Sequence, residues 1–345
     1  METVAVALLG YGYAGSTLHA PLIGSVPGLR LAAVCSGNAA KVHADWPGVF
    51  VSAVADEVLD YPGISLVVIA TPNHSHFDLT RRALLAGKHV VVDKPFTVTA
   101  AEARELCALA ASLALQLSVF HNRRWDADFL TLRSLLQDQR LGQVTYLESR
   151  FERFRPEVRD RWRERAGAGN GLWYDLGPHL LDQVLQLFGA PSSLQGTLET
   201  QRYGAQAVDY FRVLLKYPAG LQVVLQGGML GVDDGLRLVV LGSKGHYIKH
   251  GLDPQEAALK RGEDPSHPAW GKDGCDGVLS LTSTDGPAQE TLPTLPGDYS
   301  CYYRGMRDAL LHGAPNPVAA DDAAEVMRLI ELVCLSHASG QPVAC

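Results

Sequence analysis

Three consecutive valines, Val90, Val91 and Val92, run into Asp93, Lys94 and Pro95. A lysine that leaves an apolar strand, with a proline to stop the ladder, is held where open α/β sheets bind ligands, at their carboxyl edge. A surface lysine in a loop is the ordinary alternative for an isolated Lys-Pro, so other residues must decide. Gly10-Tyr11-Gly12-Tyr13-Ala14-Gly15 follows the apolar run 4–9 at once and precedes the helical pattern Leu18, Leu22, Ile23. Lacking side chains at three positions, that backbone can turn tightly and approach a pyrophosphate, whose charge sits at the amides of the helix start. Further on, Asp175 and His179 are four residues apart around Gly177-Pro178, which reads as a helix entry with proline in the first turn. Helical spacing stacks the two on one face, and a histidine has its unperturbed pKa near the working pH of an acid or base. An N-capping aspartate with a packed histidine is the competing reading of this pair. With the glycine motif and Lys94, an active site shared by the two halves of the chain is the better one.

The end of the second strand-like run bears on the cofactor. A carboxylate there would bond both ribose hydroxyls and repel a phosphate; the chain instead reads Cys35-Ser36-Gly37-Asn38, with Lys41 and His43 close behind and the first acid at Asp45. Hydroxyl and amide donors beside a cation suit a 2'-phosphate, so Ser36 and Asn38 favour NADP over NAD, unless they merely form a turn. The next strand runs out into Thr71-Pro72-Asn73-His74-Ser75-His76. His74 and His76 have too few companions for a metal site, and no metal is expected. The segment reads as a loop lining the cofactor groove, with Thr71 and Asn73 offering hydrogen bonds and His76 helping to start a helix.

The elements that must position these residues follow from periodicity. Apolar runs at 4–9, 31–35, 66–70, 90–92 and 117–120 alternate with helical spacers, as parallel strands joined by crossovers require. That predicts a Rossmann-type doubly wound parallel sheet over residues 1–121. Thr99 and Glu102 make a capping box for a helix over 100–111, and Phe129, Leu132, Leu135 and Leu136 begin a helix of the second domain, 122–345. From residue 144 strands alternate with hairpin signals, 210–216 with 221–226 and 236–241 with 247–248, giving an α+β domain on a mainly antiparallel sheet. Residues 253–298, rich in Gly, Pro, Asp and Ser, read as a long loop with at most a short helix at 255–260. Two helices, 299–312 and 320–338, close the chain, with Gly313 and Gly340 at their C-caps.

Composition bounds the function classes. The 345 residues are 47% hydrophobic and 19% charged, ordinary for a soluble globular protein of about two domains. A net charge of −7 speaks against nucleic-acid or anionic-membrane partners. Six scattered cysteines without Cys-x-x-Cys spacing read as reduced thiols, and no secretory signal or spanning stretch is visible. A cytoplasmic location is expected.

Taken in order, the glycine motif, Thr71-Pro72-Asn73-x-x-His76 and Asp93-Lys94-Pro95 resemble the glucose–fructose oxidoreductase/inositol dehydrogenase/MocA (Gfo/Idh/MocA) family over essentially the whole chain. The usual family tripeptide is Glu-Lys-Pro; Asp93 departs from it and preserves the charge. The family's second signature is matched by Gly171-Leu172-Trp173-Tyr174-Asp175-Leu176-Gly177-Pro178-His179. The resemblance implies a Rossmann domain joined to an α/β domain with a large open antiparallel sheet, and hydride transfer between a nicotinamide cofactor and a secondary alcohol. It implies that Lys94 hydrogen-bonds the reacting oxygen, that His179 is the general acid or base, and that Asp175 orients substrate or histidine. It also implies a nicotinamide-facing Asn122, beside Arg123 and Arg124 that read as solvated or salt-bridged, and a cofactor- or substrate-facing Trp-Arg element in Arg161-Trp162-Arg163, with an aromatic anchor in a charged loop as the competing reading of Trp162. Tyr302-Tyr303 reads more readily as a core aromatic pair than as part of the pocket. The nearest branch contains NADP-linked scyllo-inositol dehydrogenases, so a polyol or sugar is the expected substrate and a homodimer or homotetramer through the C-terminal sheet the expected assembly. A non-catalytic NADP sensor and an NAD-dependent glycoside-cleaving relative are the alternatives.

Overall fold

The computed structural model describes residues 3–232, 235–283 and 286–345. Among them the chain forms two compact units that interleave in sequence. The first comprises Met1–Asn122, Gln255–Trp270 and Asp298–Met327, the second Arg123–Pro254, Gly271–Gly297 and Arg328–Cys345. Two pieces of the second half of the chain, one of them holding the short helix at 255–260, therefore belong to the first unit.

The first unit is built on β1 (Val4–Leu9), β2 (Leu29–Cys35), β3 (Phe50–Ser52), β4 (Ile64–Ile69), β5 (His89–Val92) and β6 (Leu117–Val119), all parallel in the order β3-β2-β1-β4-β5-β6. Every residue of β1 is buried, as strands covered on both faces must be. The order reverses between β1 and β4, the switch point where such sheets bind ligands. β3, only three residues long, has no run in the sequence reading. Helices α1 (Ala20–Ser25), α2 (Ala39–Asp45), α3 (Ala55–Leu59), α4 (His76–Leu85) and α5 (Ala100–Ser112) are the crossovers. The capping box of α5 is complete: Thr99 Oγ1 accepts from the Glu102 amide at 3.2 Å, and Glu102 Oε2 accepts from the Thr99 amide at 3.0 Å.

The second unit carries α6 (Ala127–Gln137), β7 (Val144–Glu152), α7 (Gly171–Phe188), β8 (Ser193–Glu199), β9 (Tyr210–Lys216), β10 (Gln222–Gly228), β11 (Leu236–Gly242) and β12 (Gly245–His250). Both predicted hairpins form, β9 with β10 and β11 with β12. With β13 (Gly277–Ser283), β14 (Gly286–Leu292) and β15 (Val343–Ala344), the order across the described strands is β14-β13-β12-β11-β7-β10-β9-β8-β15, antiparallel but for the β7–β10 pair.

Two expectations need correction. Residues 253–298 hold more than a short helix: besides α8 (Gln255–Lys260) they contain the antiparallel pair β13 (Gly277–Ser283) and β14 (Gly286–Leu292). The alternation in Val278-Leu279-Ser280-Leu281 is that of a half-covered strand, and Pro287 is tolerated because β14 is an edge. Thr284 and Asp285, between the two strands, lie outside the described residues. The second correction concerns Gly177-Pro178, which is no helix entry: α7 begins at Gly171, and Pro178 stands inside it. The start is set earlier by tertiary contact, for Gly171 has φ +86° and the Leu172 amide donates to the Val208 carbonyl at 2.6 Å. Helices α9 (Ser300–His312) and α10 (Ala320–Ser339) follow, and β15 (Val343–Ala344) pairs with β8. Among the described residues no helix is long and apolar enough to cross a membrane.

Candidate active site

In the first unit the predicted cofactor residues gather along the carboxyl edge of the parallel sheet. Gly10 has φ +99°, and a Cβ there would come within 2.6 Å of the Ala70 carbonyl oxygen. Gly15 has no room either, because a Cβ would run into the Gly10 carbonyl, whereas Gly12 has open space beside it. The loop thus fits a group that approaches the backbone closely at Gly12, as a dinucleotide pyrophosphate does. Ala14 opens a π-helical turn, Ala14–His19, that leads into α1. Tyr13 belongs to the cofactor loop by its main chain, but its hydroxyl donates to Glu256 Oε1 of α8 at 2.7 Å and Lys260 lies 5.4 Å over its ring. Its side chain therefore serves to pack α8 within this unit.

The end of β2 is arranged by local caps. The Asn38 amide donates to Ser36 Oγ at 3.1 Å, and Asn38 Oδ1 accepts from the Lys41 amide at 3.0 Å as the N-cap of α2. That cap turns Lys41 back over the glycine loop, where Nζ lies 3.4 Å from the Tyr11 carbonyl and 3.3 Å from Ser16 Oγ. Lys41 is the cation the sequence reading placed only loosely; its companion His43 points away, its Nε2 3.1 Å from the Val49 carbonyl. Asp45, the first acid after β2, accepts from the Tyr11 hydroxyl at 2.8 Å. Burial, then Asp45 itself, push the Tyr11 phenol well above its ordinary pKa, so the proton stays in that bond.

Thr71 and Asn73 lie at the end of β4, with Thr71 Oγ1 2.7 Å from Ser75 Oγ, Asn73 buried and Pro72 exposed. His76 is not placed to touch a cofactor. Its ring is fully buried, with Nδ1 2.8 Å from the Pro95 carbonyl and Nε2 3.0 Å from the Thr71 carbonyl. It ties the loop after β4 to the loop after β5 and so shapes the groove without lining it. Burial lowers its pKa, against the opposing pull of Asp93 and of the carbonyls it faces. His74 is exposed, so the two histidines occupy different environments.

Lys94 sits half-buried between buried Asp93 and Pro95, across a cis Lys94–Pro95 peptide. Its amide donates to Asp93 Oδ1 at 2.8 Å, and the Asp93 amide continues the ladder to the Ile69 carbonyl at 2.8 Å. Asn122 is buried at the start of the single-turn helix Asn122–Trp125 that follows β6.

In the second unit α7 carries Asp175 and His179 one turn apart, the histidine buried and the aspartate half-buried. Arg163 Nη1 lies 3.6 Å from Asp175 Oδ1, and its guanidinium stacks 5.0 Å over the Trp162 ring. Trp162 and Asp175 are thus brought together through Arg163 of the Trp-Arg element. The segment before them is fixed by buried Arg202, which binds Asp209 at 2.9 Å, Glu164 at 3.1 Å and the carbonyls of Arg155 and Glu157 at 3.2 and 3.1 Å. The helix itself is held by a bidentate pair, Arg124 Nε to Asp182 Oδ2 at 2.9 Å and Nη2 to Oδ1 at 2.7 Å. Gln183 adds a donation to the Arg123 carbonyl at 2.8 Å.

Residues 4–121 match the family described as oxidoreductase family, NAD-binding Rossmann fold, and residues 133–345 match its C-terminal alpha/beta domain. The chain is 54% identical to the uncharacterized oxidoreductase YdgJ of Escherichia coli, over 96% of this chain and 95% of that one. It is 38% identical to the scyllo-inositol 2-dehydrogenase (NADP(+)) IolW of Bacillus subtilis, over 96% and 93% respectively. The solved structure of YPO2259 from Yersinia pestis superposes with a TM-score of 0.96 at 51% identity, covering 100% of this chain and 97% of that one. With both halves matched and the glycine cradle at the sheet's switch point, the chain belongs to the Gfo/Idh/MocA family of NAD-binding oxidoreductases.

Proposed function

We propose that the protein is an NADP-dependent dehydrogenase that oxidises a secondary alcohol of a polyol or sugar, with scyllo-inositol the first substrate to try. The observation that carries the cofactor preference is Lys41 at the glycine loop, beside Ser36 and Asn38, while Asp45 is engaged by Tyr11. A cation with hydroxyl and amide donors favours a 2'-phosphate, and the one nearby acid is turned to another partner. The substrate class is supported by the similarity to IolW, a scyllo-inositol 2-dehydrogenase of which 93% is aligned.

In this reading Gly10, Gly12, Ala14 and Gly15 cradle the pyrophosphate, while Thr71, Pro72, Asn73, Asn122 and Trp162 border the dinucleotide. A bound nicotinamide would supply the hydride acceptor. Lys94 hydrogen-bonds the reacting oxygen and stabilises charge developing on it. His179 takes the hydroxyl proton, and in the reverse direction returns it. Asp175, one turn before His179 and beside Arg163, orients the substrate or the imidazole.

Initial rates with scyllo-inositol, other inositols and aldoses at mildly alkaline pH, with NADP and NAD in parallel, test the reading. NADPH formation faster than NADH formation is expected. Clear NADP binding without turnover of any polyol would indicate a sensor of the same fold; NAD retained through purification would indicate a glycoside-cleaving enzyme.

We further propose a homodimer or homotetramer through the outer face of the second sheet. The support is a cross-strand row on one face, Leu214, Val224, Glu148, Val239 and Ile248, in which all but the buried Val224 are partly exposed, with Leu241 at 42% exposure two residues along. Sedimentation of the protein at micromolar concentration checks it, and a monomer would contradict it.

A further inference from the structure

His19 closes the π-helical turn that carries the glycine motif, and its side chain is fully buried. An imidazole taken out of water is unfavourable unless its nitrogens meet polar groups. Here Nδ1 lies 2.6 Å from the Tyr303 hydroxyl, and Nε2 faces Asp93 Oδ1 at 3.8 Å. Asp93 in turn accepts from the Lys94 amide. The Phe120 ring lies 4.3 Å from the imidazole, and Tyr302 packs edge-on against both Phe120 and Tyr303. All these residues belong to the first unit.

The proton positions follow from the partners. Burial, then Tyr302 and Asp93, push the Tyr303 phenol well above its ordinary pKa, so it keeps its proton at any working pH. The Nε2–H tautomer of His19 turns the ring proton toward Asp93 and leaves Nδ1 to accept from the Tyr303 hydroxyl. The other tautomer would set the Nε2 lone pair against a carboxylate oxygen. Because His19 and Tyr303 are both fully buried, any effect on the chemistry is indirect, by way of Asp93 and the main chain of Lys94 or of the glycine turn that His19 closes.

We infer that His19 and Tyr303 are positioning residues that, through Asp93, fix the strand end bearing Lys94 and join it to the glycine loop. The inference rests on the role given to Lys94 above. The link is economical in covalent terms: the turn that presents the glycine cradle ends in the side chain that braces the strand end of the lysine.

The test compares two neighbouring tyrosines of α9. Tyr303→Phe removes only the hydroxyl on His19; Tyr302→Phe removes the hydroxyl that donates to Ser118 Oγ at 2.7 Å. Tyr303→Phe and His19→Gln are expected to lower kcat about tenfold to a hundredfold, the cost of a slightly misplaced reacting group, with KM for scyllo-inositol within about twofold. Tyr302→Phe is expected to leave kcat unchanged. Independently of turnover, ¹⁵N NMR should show His19 as the Nε2–H tautomer, with Tyr303→Phe giving a mixture of tautomers. A normal kcat for Tyr303→Phe, an equal loss in Tyr302→Phe, or an Nδ1–H tautomer in the unmodified protein would overturn the inference. Turnover retained by Lys94→Ala would remove the reading beneath it; a dead Lys94→Ala beside a normal Tyr303→Phe would remove the inference alone.

Discussion

The carboxyl edge of the parallel sheet and the helix α7 hold their functional side chains by opposite means. At the edge, main chain does most of the holding: Gly10 donates to the Cys35 carbonyl, Ala70 to Leu9, Asp93 to Ile69 and Phe120 to Val92. Each strand end is continued one residue into its loop by its neighbour, so the loops start from fixed points. On α7 the holding is done by side chains, Arg124 on Asp182, Gln183 on the Arg123 carbonyl and Trp173 Nε1 on the Ile330 carbonyl at 3.3 Å. A region stitched through its backbone tolerates loss of a single side chain better than one pinned by a few buried charges. The lysine sits on the first kind of support and the histidine on the second.

That contrast yields predictions in descending size. His179→Asn should lower kcat by about 10²- to 10⁴-fold while leaving NADP binding intact, as loss of a general base does; pre-steady-state kinetics that show no slowing of hydride transfer would contradict the role. Arg124→Leu should destabilise the protein by about 3–5 kcal/mol in denaturant unfolding, because it strands the buried Asp182 carboxylate. A loss below about 1 kcal/mol would mean that α7 is not held as described. Lys41→Ala should weaken NADP about tenfold and NAD hardly at all, the worth of one charge-assisted contact, and equal weakening of both would remove the 2'-phosphate assignment. Ser36→Asp should move preference toward NAD.

The smallest effect belongs to the stitched edge. His76 has a folded-state pKa below its ordinary value of 6.5, so below pH 6.5 the unfolded chain binds the more protons and stability falls as pH falls. His76→Asn should flatten the decline in Tm between about pH 7 and 5. An unchanged acid limb would show that His76 does not contribute to it.

The same contrast explains what could be read from sequence. Features with local causes were legible: the buried run of β1, the lysine at the end of β5, the Thr99–Glu102 capping box and the turn-bounded hairpins β9–β10 and β11–β12. Features fixed by distant contacts were not. The start of α7 depends on Val208 and lies seven residues before the proline that suggested an entry. β14 is hidden by a composition of Gly, Pro, Gln and Glu that suits an edge strand as well as a loop. The Trp-Arg element was visible as a motif, but nothing in its spacing paired Arg163 with Asp175. His19 left one trace, a polar residue in step with the apolar Leu22 and Ile23, but nothing in its spacing pointed to Asp93 or Tyr303.

The central claim is that Lys94 meets the reacting oxygen. The direct measurement is NADP-linked turnover of scyllo-inositol by Lys94→Ala, alongside cofactor affinity from quenching of intrinsic fluorescence. Turnover lower by at least about a thousandfold, with NADP affinity within about threefold of the unmodified protein, is the predicted result. Turnover near that of the unmodified protein would contradict the account.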